Sequence, residues 1–279
     1  MVRIMELLKT QIHIGLESPV RVLHFSDTHL TRADLRDGER KVQLAEGRKA
    51  GFPHAEEVLD FACATAKELD IPIVYTGDLA DFVSLANLEA AKQFADENDC
   101  FVVAGNHEFS LYVGEAWEDA DYRNQSLDMV QACYKNNIRM SSRVIGGVNF
   151  VALDNGYYLF DAEQLDFLKR EAEKGLPMVL MMHVPLYDPA LYDYELRRVP
   201  GCAYLTGVPE EKMAHYEDYR YRQQKADEIT LETMRYIADQ PLIRAILTGH
   251  LHMNYEASYA DRMPQIFTGN CAVRVIEFT

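Results

Sequence analysis

Apolar residues fall along this chain in short runs rich in valine and isoleucine, each closed by turn residues and most followed by a stretch of helical periodicity. The runs TQIHIGL (10–16), VRVLHFSD (20–27), IPIVYTGD (71–78), CFVVAGNH (100–107), GVNFVALDN (147–155), PMVLMMHV (177–184), IRAILTGH (243–250), MPQIFTG (263–269) and VRVIEFT (273–279) predict strands. Helices are predicted over 55–69, 85–98, 122–136, 162–174 and 224–239. The fourth carries a start signal, with Asp161 able to accept from first-turn amides while Gln164 reaches back. Strands outnumber helices, and their alternation marks one α/β domain over 1–279 with no internal repeat or linker.

Two segments break the alternation. TRADLRDGERKVQLAEGRKAGFPH (31–54) and the stretch 187–223 are too long for ordinary connections, and loops of that length in a compact domain are usually functional lids or disordered. The second holds Tyr187, Tyr192, Tyr194, Tyr204, Tyr216, Tyr219 and Tyr221, seven of the sixteen tyrosines. That density predicts an ordered insertion, either a substrate-selecting lid or an oligomer contact.

Composition narrows the partners. The chain is 48% hydrophobic, enough for a sizeable core, and its 28 basic against 44 acidic residues give a formal net charge of −16. Such a surface repels nucleic acid and anionic membrane, so neither is expected as a partner. Cys63, Cys100, Cys133, Cys202 and Cys271 are scattered and form no CxxC pair. Disulfides and a cysteine-built zinc site are therefore not expected, and the chain reads as cytoplasmic. Charges at Glu6 and Lys9 interrupt the first apolar residues, and no uncharged run is long enough to span a bilayer.

The predicted strands tend to end in metal-capable side chains. VLHFSDTHL ends in Asp27 and His29, IVYTGDLAD in Asp78 and Asp81, FVVAGNHEF in Asn106 and His107, VLMMHVPL in His183, and AILTGHLHMN in His250 and His252. In an open α/β sheet, ligands bind outside the carboxyl ends of the strands, so residues far apart in sequence can meet there. Taken singly, DxH or GD is ordinary turn chemistry. GHLH is more specific, because two neighbouring imidazoles are costly to bury without a metal or acidic partners. In an extended chain His250 and His252 would point to one side and ligate one centre or two adjacent ones. Asp81 is open to two readings, a helix N-cap or a carboxylate that fixes the tautomer of His107. His24 reads as a packed or a surface residue of its strand and His54 as the first turn of a helix.

The order DTH, GD, GNHE, H, GHLH resembles the calcineurin-like metallophosphoesterase superfamily, from about residue 20 to the C-terminus. The resemblance implies a four-layer α/β/β/α sandwich of two mixed sheets flanked by helices, with a two-metal site at one edge. It implies Asp27, His29, Asp78 and His252 as ligands of one ion and Asp78, Asn106, His183 and His250 as ligands of the other. Carboxylate, imidazole and amide oxygen without thiolate suit Mn, Fe or Zn and disfavour calcium. Two such ions about 3.5 to 4 Å apart clamp a phosphoryl group and activate hydroxide for in-line attack. His107, beside a ligand, is placed to protonate the leaving oxygen.

Membership alone does not choose the substrate. Protein serine/threonine phosphatases of the superfamily carry an arginine-glycine pair after GDxxD, where this chain has Phe82 and Val83, so a phosphoprotein is disfavoured. The expectation is a small phosphoester, foremost a nucleotide-like phosphodiester, with a phosphomonoester or a non-catalytic metal-bound scaffold as alternatives. Substrate contacts are expected from the basic and aromatic residues of the two long segments, chiefly Arg36, Arg40, Tyr192, Tyr194 and Arg197.

Overall fold

The computed structural model describes residues 5–114 and 119–279. Two mixed sheets stack face to face. The first runs β1 (Glu6–Ile12), β11 (Ala272–Phe278), β2 (Val20–Phe25), β3 (Ile73–Tyr75), β4 (Cys100–Val102) in spatial order. The second runs β5 (Met140–Ile145), β6 (Val148–Leu153), β7 (Met178–Met181), β8 (Ile243–Thr248), β10 (Met263–Phe267), β9 (Tyr255–Tyr259). β2, β3 and β4 are parallel, as are β6, β7, β8 and β10, so the carboxyl ends of each group share one edge of their sheet.

Between the sheets Val22, Val74, Phe101, Phe150, Met181, Leu247 and Ile276 form a buried layer. On the outer face of the first sheet lie α2 (Ala55–Leu69) and α3 (Leu85–Glu97), packed over Leu23, Phe25 and Tyr75. On that of the second lie α6 (Ala162–Ala172) and α9 (Glu228–Asp239), packed over Val151, Leu180 and Ile246. The result is the four-layer sandwich. Central strands buried on both faces must be apolar at nearly every position, which is why they stand out in the sequence.

The differences from the predicted elements lie where hydrophobic patterning is weak. β5 and β9 are edge strands with part-exposed, polar residues, and both were unexpected. Gly146 and Gly147, with φ of 55° and 87°, make the tight turn that folds β5 back onto β6. β1 starts four residues earlier than predicted, because its parallel pairing with β11 sets Glu6 opposite Ala272. The helix predicted over 122–136 is two short ones, α4 (Ala120–Asn124) and α5 (Leu127–Gln131), and Ser126 between them donates to the Phe109 carbonyl at 3.0 Å. The predicted capping box at Asp161 and Gln164 is present.

Both long segments contain helices. The first carries α1 (Glu39–Lys49), and the second α7 (Pro189–Arg198) and α8 (Asp218–Gln224). The 187–223 segment has its own core of Leu191, Tyr192, Leu205, Val208, Met213 and Tyr216, which joins Leu251 and Phe267 of the main body. Cutting it out would uncover those two side chains. Among the described residues no helix is long and apolar enough to cross a membrane.

Candidate metal centre

Six of the nine residues singled out at strand ends are buried; His107 and His250 are half-buried and His252 lies at the rim, with the side chains of His107 and His252 18% and 36% exposed. Three groups offer ligand atoms all within 4.8 Å of one another: Asp27, His29 and His252; Asp78, His183 and His250; and His29, Asp78 and His107. Asp78 Oδ2 lies 3.1 Å from His183 Nε2 and 3.6 Å from His29 Nε2, so it faces both halves. Asp27 Oδ1 is 3.5 Å from His252 Nε2 and 3.9 Å from His183 Nε2.

Each imidazole is turned by a partner on its outer nitrogen. His29 Nδ1 donates to Asp81 Oδ1 at 3.0 Å, and His183 Nδ1 donates to the Thr76 carbonyl at 2.7 Å. Both therefore present a bare Nε2 inward. His250 contacts the Tyr158 hydroxyl through Nε2 at 3.0 Å, leaving Nδ1 to face the cluster. As a result His29 Nε2 meets His252 Nε2 at 3.0 Å, and His183 Nε2 meets His250 Nδ1 at 3.1 Å. Two ring nitrogens facing each other at that distance share either a proton or a metal ion. The buried Asn106 Oδ1 has no hydrogen-bond partner among the described residues, a further donor oxygen without an owner. The residues present fit a metal site.

Charge follows the same logic. Burial lowers His29 and His250, and brings His252 down to about 4, so these rings stay neutral. For His183 burial opposes the proton, but Asp78 and Asp27 outweigh it and raise the ring to about 9; a cation bound there takes that proton's place. Burial raises Asp27, while the imidazoles of His183, His107 and His29 overcome burial and hold Asp78 well below the usual carboxylate range. His24, by contrast, bonds Thr76 and Thr268 on its two nitrogens and is a core residue lowered to about 3 by burial and Arg274.

The backbone bends to achieve this. Asp27, His29, Asp78, His250 and His252 all have φ between 50° and 66°, a left-handed conformation that is uncommon outside glycine and clusters at functional sites. His250 and His252 are thus not in extended chain. β8 has ended at Thr248, and the two kinks send His252 to Asp27 and His29, and His250 to Asp78 and His183. Asn106 and His107 open a 3-10 turn, which separates their directions in the same way.

The glycines of the motifs are steric requirements. A Cβ on Gly105 would collide with Asp78 Oδ1, and one on Gly249 with Ser26 Oγ and Asp27 Oδ2. Gly249→Ala is therefore expected to push Asp27 out of place, at a cost of roughly 1–3 kcal/mol in stability. Metal content by elemental analysis should fall with it, and a Gly249→Ala protein with wild-type metal content would contradict the packing argument.

Two site features escaped the sequence reading. Glu108 is buried and accepts from the amides of Asp78, Leu79 and Gly105 at 2.8, 2.6 and 2.7 Å, clamping the two loops together. Burial and the Asp78 charge push it up to about 8. GNHE contains it, yet only its neighbours were singled out. Tyr158, the partner of His250, sits at φ 69° in a loop with no motif around it.

Asp81 caps no helix. Ser84 caps α3, and Asp81 is buried between His29, His107 and Arg48. The residues expected to touch substrate are mostly engaged elsewhere. Arg36 pairs with Asp34 and Glu89, and Arg40 lies over the Tyr112 ring. Tyr192 is in the core of the insertion and donates to the Lys212 carbonyl. Tyr194 stacks on Tyr255, and the Arg197 guanidinium lies over the Tyr194 ring, 5.8 Å from its centre. Of the insertion's tyrosines, Tyr204 comes to the cluster, its ring 6.0 Å from that of His250.

A two-sheet sandwich that gathers aspartates and histidines at the carboxyl ends of its parallel strands is the frame of a metal-dependent phosphohydrolase. The chain belongs to the calcineurin-like phosphoesterase family, whose model matches residues 20–254. Among curated proteins none matches significantly. A dimetal phosphatase from Danio rerio is 12% identical, aligned over 90% of this chain and 88% of that one with a TM-score of 0.51, which supports the fold. A phosphopantetheinyl hydrolase from Mycobacterium tuberculosis is 12% identical over 91% of both chains, with a TM-score of 0.45. A 5'-nucleotidase from Candida albicans is 12% identical over 90% of this chain, which spans 45% of that protein, with a TM-score of 0.41.

Proposed function

We propose that the chain is a two-metal phosphodiesterase acting on a small, nucleotide-like phosphoester. The observation that carries this reading is the convergence of bare imidazole nitrogens and carboxylate oxygens on two adjoining points that share Asp78. Asp27, His29, Asp78 and His252 would hold one divalent ion, and Asp78, Asn106, His183 and His250 the other. Nitrogen and oxygen donors without thiolate suit Mn, Fe or Zn. When bound, such ions supply Lewis acidity that activates water near neutral pH and offsets charge on the phosphoryl oxygens.

The chain's own side chains supply the rest. His107 points Nδ1 at the Asp81 carbonyl, 2.9 Å away, which leaves Nε2 to give a proton to the leaving oxygen. The 187–223 segment forms a wall beside His250. There the Arg220 guanidinium lies over the rings of Tyr204 and Tyr219 at 5.1 and 4.9 Å. It is half-buried, bonds Gln223, and has no carboxylate ion-pair partner among the described residues. An anionic oxygen would find a guanidinium here and a flat group would find the face of Tyr204, which favours a diester with an aromatic or base-like substituent.

The test is hydrolysis by the metal-free protein reloaded with Mn, Fe or Zn. The expected result is faster turnover of bis(4-nitrophenyl) phosphate than of 4-nitrophenyl phosphate, abolished by chelator and restored by metal. Preference for the monoester would replace the diester reading with a phosphomonoesterase, and two bound ions without turnover of either would leave a binding scaffold.

A further inference from the structure

Asp81 is a fully buried carboxylate with more donors than one oxygen can orient. Its Oδ1 lies 3.0 Å from His29 Nδ1, 3.2 Å from His107 Nδ1 and 2.9 Å from Arg48 Nη2, while Oδ2 takes Arg48 Nε at 2.6 Å. Only Arg48 touches both oxygens. A carboxylate can rotate about its last bond, so the two imidazoles alone would not fix its plane; the planar guanidinium fork does. Arg48 comes from α1, in the first long segment, and is 32% exposed. Its guanidinium also lies 5.3 Å from the ring centre of Phe52, and Phe52 stacks flat on His29 at 4.1 Å and 13°. The end of α1 thus closes over one side of the cluster.

The other side is held differently. His183 is turned by the Thr76 carbonyl and His250 by Tyr158, with no link to Asp81. We infer that Arg48 is a positioning residue for one half of the centre: through the Asp81 carboxylate it sets the ring of His29, while His107 keeps its own bond to the Asp81 backbone carbonyl and His183 and His250 are left untouched. The inference rests on the two-metal reading and assigns the 31–54 segment a support role in place of substrate contact.

The asymmetry makes it testable apart from activity. Calorimetric titration of the metal-free full chain with Mn²⁺ should show two sites. In Arg48→Ala one site should weaken by roughly 10- to 100-fold, the usual effect of losing a group that orients a ligand, while the other keeps its affinity. Arg48→Lys keeps the charge without the fork and should recover little of the loss. Guanidinium chloride at millimolar concentration should restore part of the weak site in Arg48→Ala, since the position opens to solvent; thermal melting checks that both variants stay folded. Wild-type protein that binds two ions, with both sites weakened alike or neither weakened in Arg48→Ala, overturns the role of Arg48 alone. Wild-type protein that binds fewer than two ions overturns the two-metal reading and this inference with it.

Discussion

Asp78→Asn is expected to lower kcat by about 10³-fold or more and to strip metal from both halves of the centre, with the fold intact. The size follows from losing an activator that brings water's pKa from near 16 to near 7. The reason lies in which oxygen faces which group. Asp78 Oδ1 accepts from the His107 amide at 2.8 Å, and an asparagine oxygen can keep that bond. The second position would then become an NH₂ pointed at His183 Nε2, now 3.1 Å from Oδ2, and at His29 Nε2, 3.6 Å away. A donor would occupy the lone pairs that a cation needs, and the charge that lies nearer to both halves than Asp27 does would be gone. Asparagine also tolerates the φ of 61° at this position, and Glu108 still clamps the backbone amide, so misfolding offers no alternative explanation. Elemental analysis and steady-state kinetics on the same preparation decide the matter. An active Asp78→Asn protein with two metal equivalents would remove Asp78 from the shared position.

What the sequence disclosed about this site follows from burial. β2, β3, β7 and β8 are covered on both faces, so VRVLHF, IVY, MVLM and IRAILT stand out as apolar runs, and the polar residues at their ends are conspicuous against them. The motif glycines were legible as turns, but their steric role depends on contacts between separate loops, Gly249 against Asp27 and Gly105 against Asp78. The same holds for the left-handed kinks at His250 and His252, which no local pattern announces. Arg48, Phe52 and Tyr158 were hidden for another reason. Arg48 acts from α1, where four of the eleven residues are basic and the apolar face is narrow, and neither Phe52 nor Tyr158 lies in a predicted strand or helix. Tyrosine density in 187–223 did mark an ordered insertion, yet five of the seven, Tyr187, Tyr192, Tyr204, Tyr216 and Tyr221, pack into its apolar cluster, and the arginines of 31–54 are largely spent on neighbouring carboxylates. Composition identifies what a segment can bind and gives no direction for its side chains.

His107→Ala is expected to separate proton transfer from metal binding. The His107 contact that organises the cluster is its backbone amide on Asp78 Oδ1, which alanine retains. Its ring adds something else: burial opposes a proton there, but Asp78 and Asp81 outweigh it and raise the imidazole to about 10, so the ring of the metal-free protein carries a proton at neutral pH. With Nδ1 committed to Asp81, that leaves Nε2–H as the proton to give. Loss of a general acid lowers kcat by roughly 10²- to 10⁴-fold for a poor leaving group such as an alkoxide. Nitrophenolate leaves without protonation, so the variant should lose much less on a nitrophenyl ester. Metal content should stay near the wild-type level. The competing role is ligation, because His107 also offers an atom within 4.8 Å of those of His29 and Asp78. A ligand's loss would cut metal content and depress good and poor leaving groups alike, and that pair of results would retire His107 as the acid.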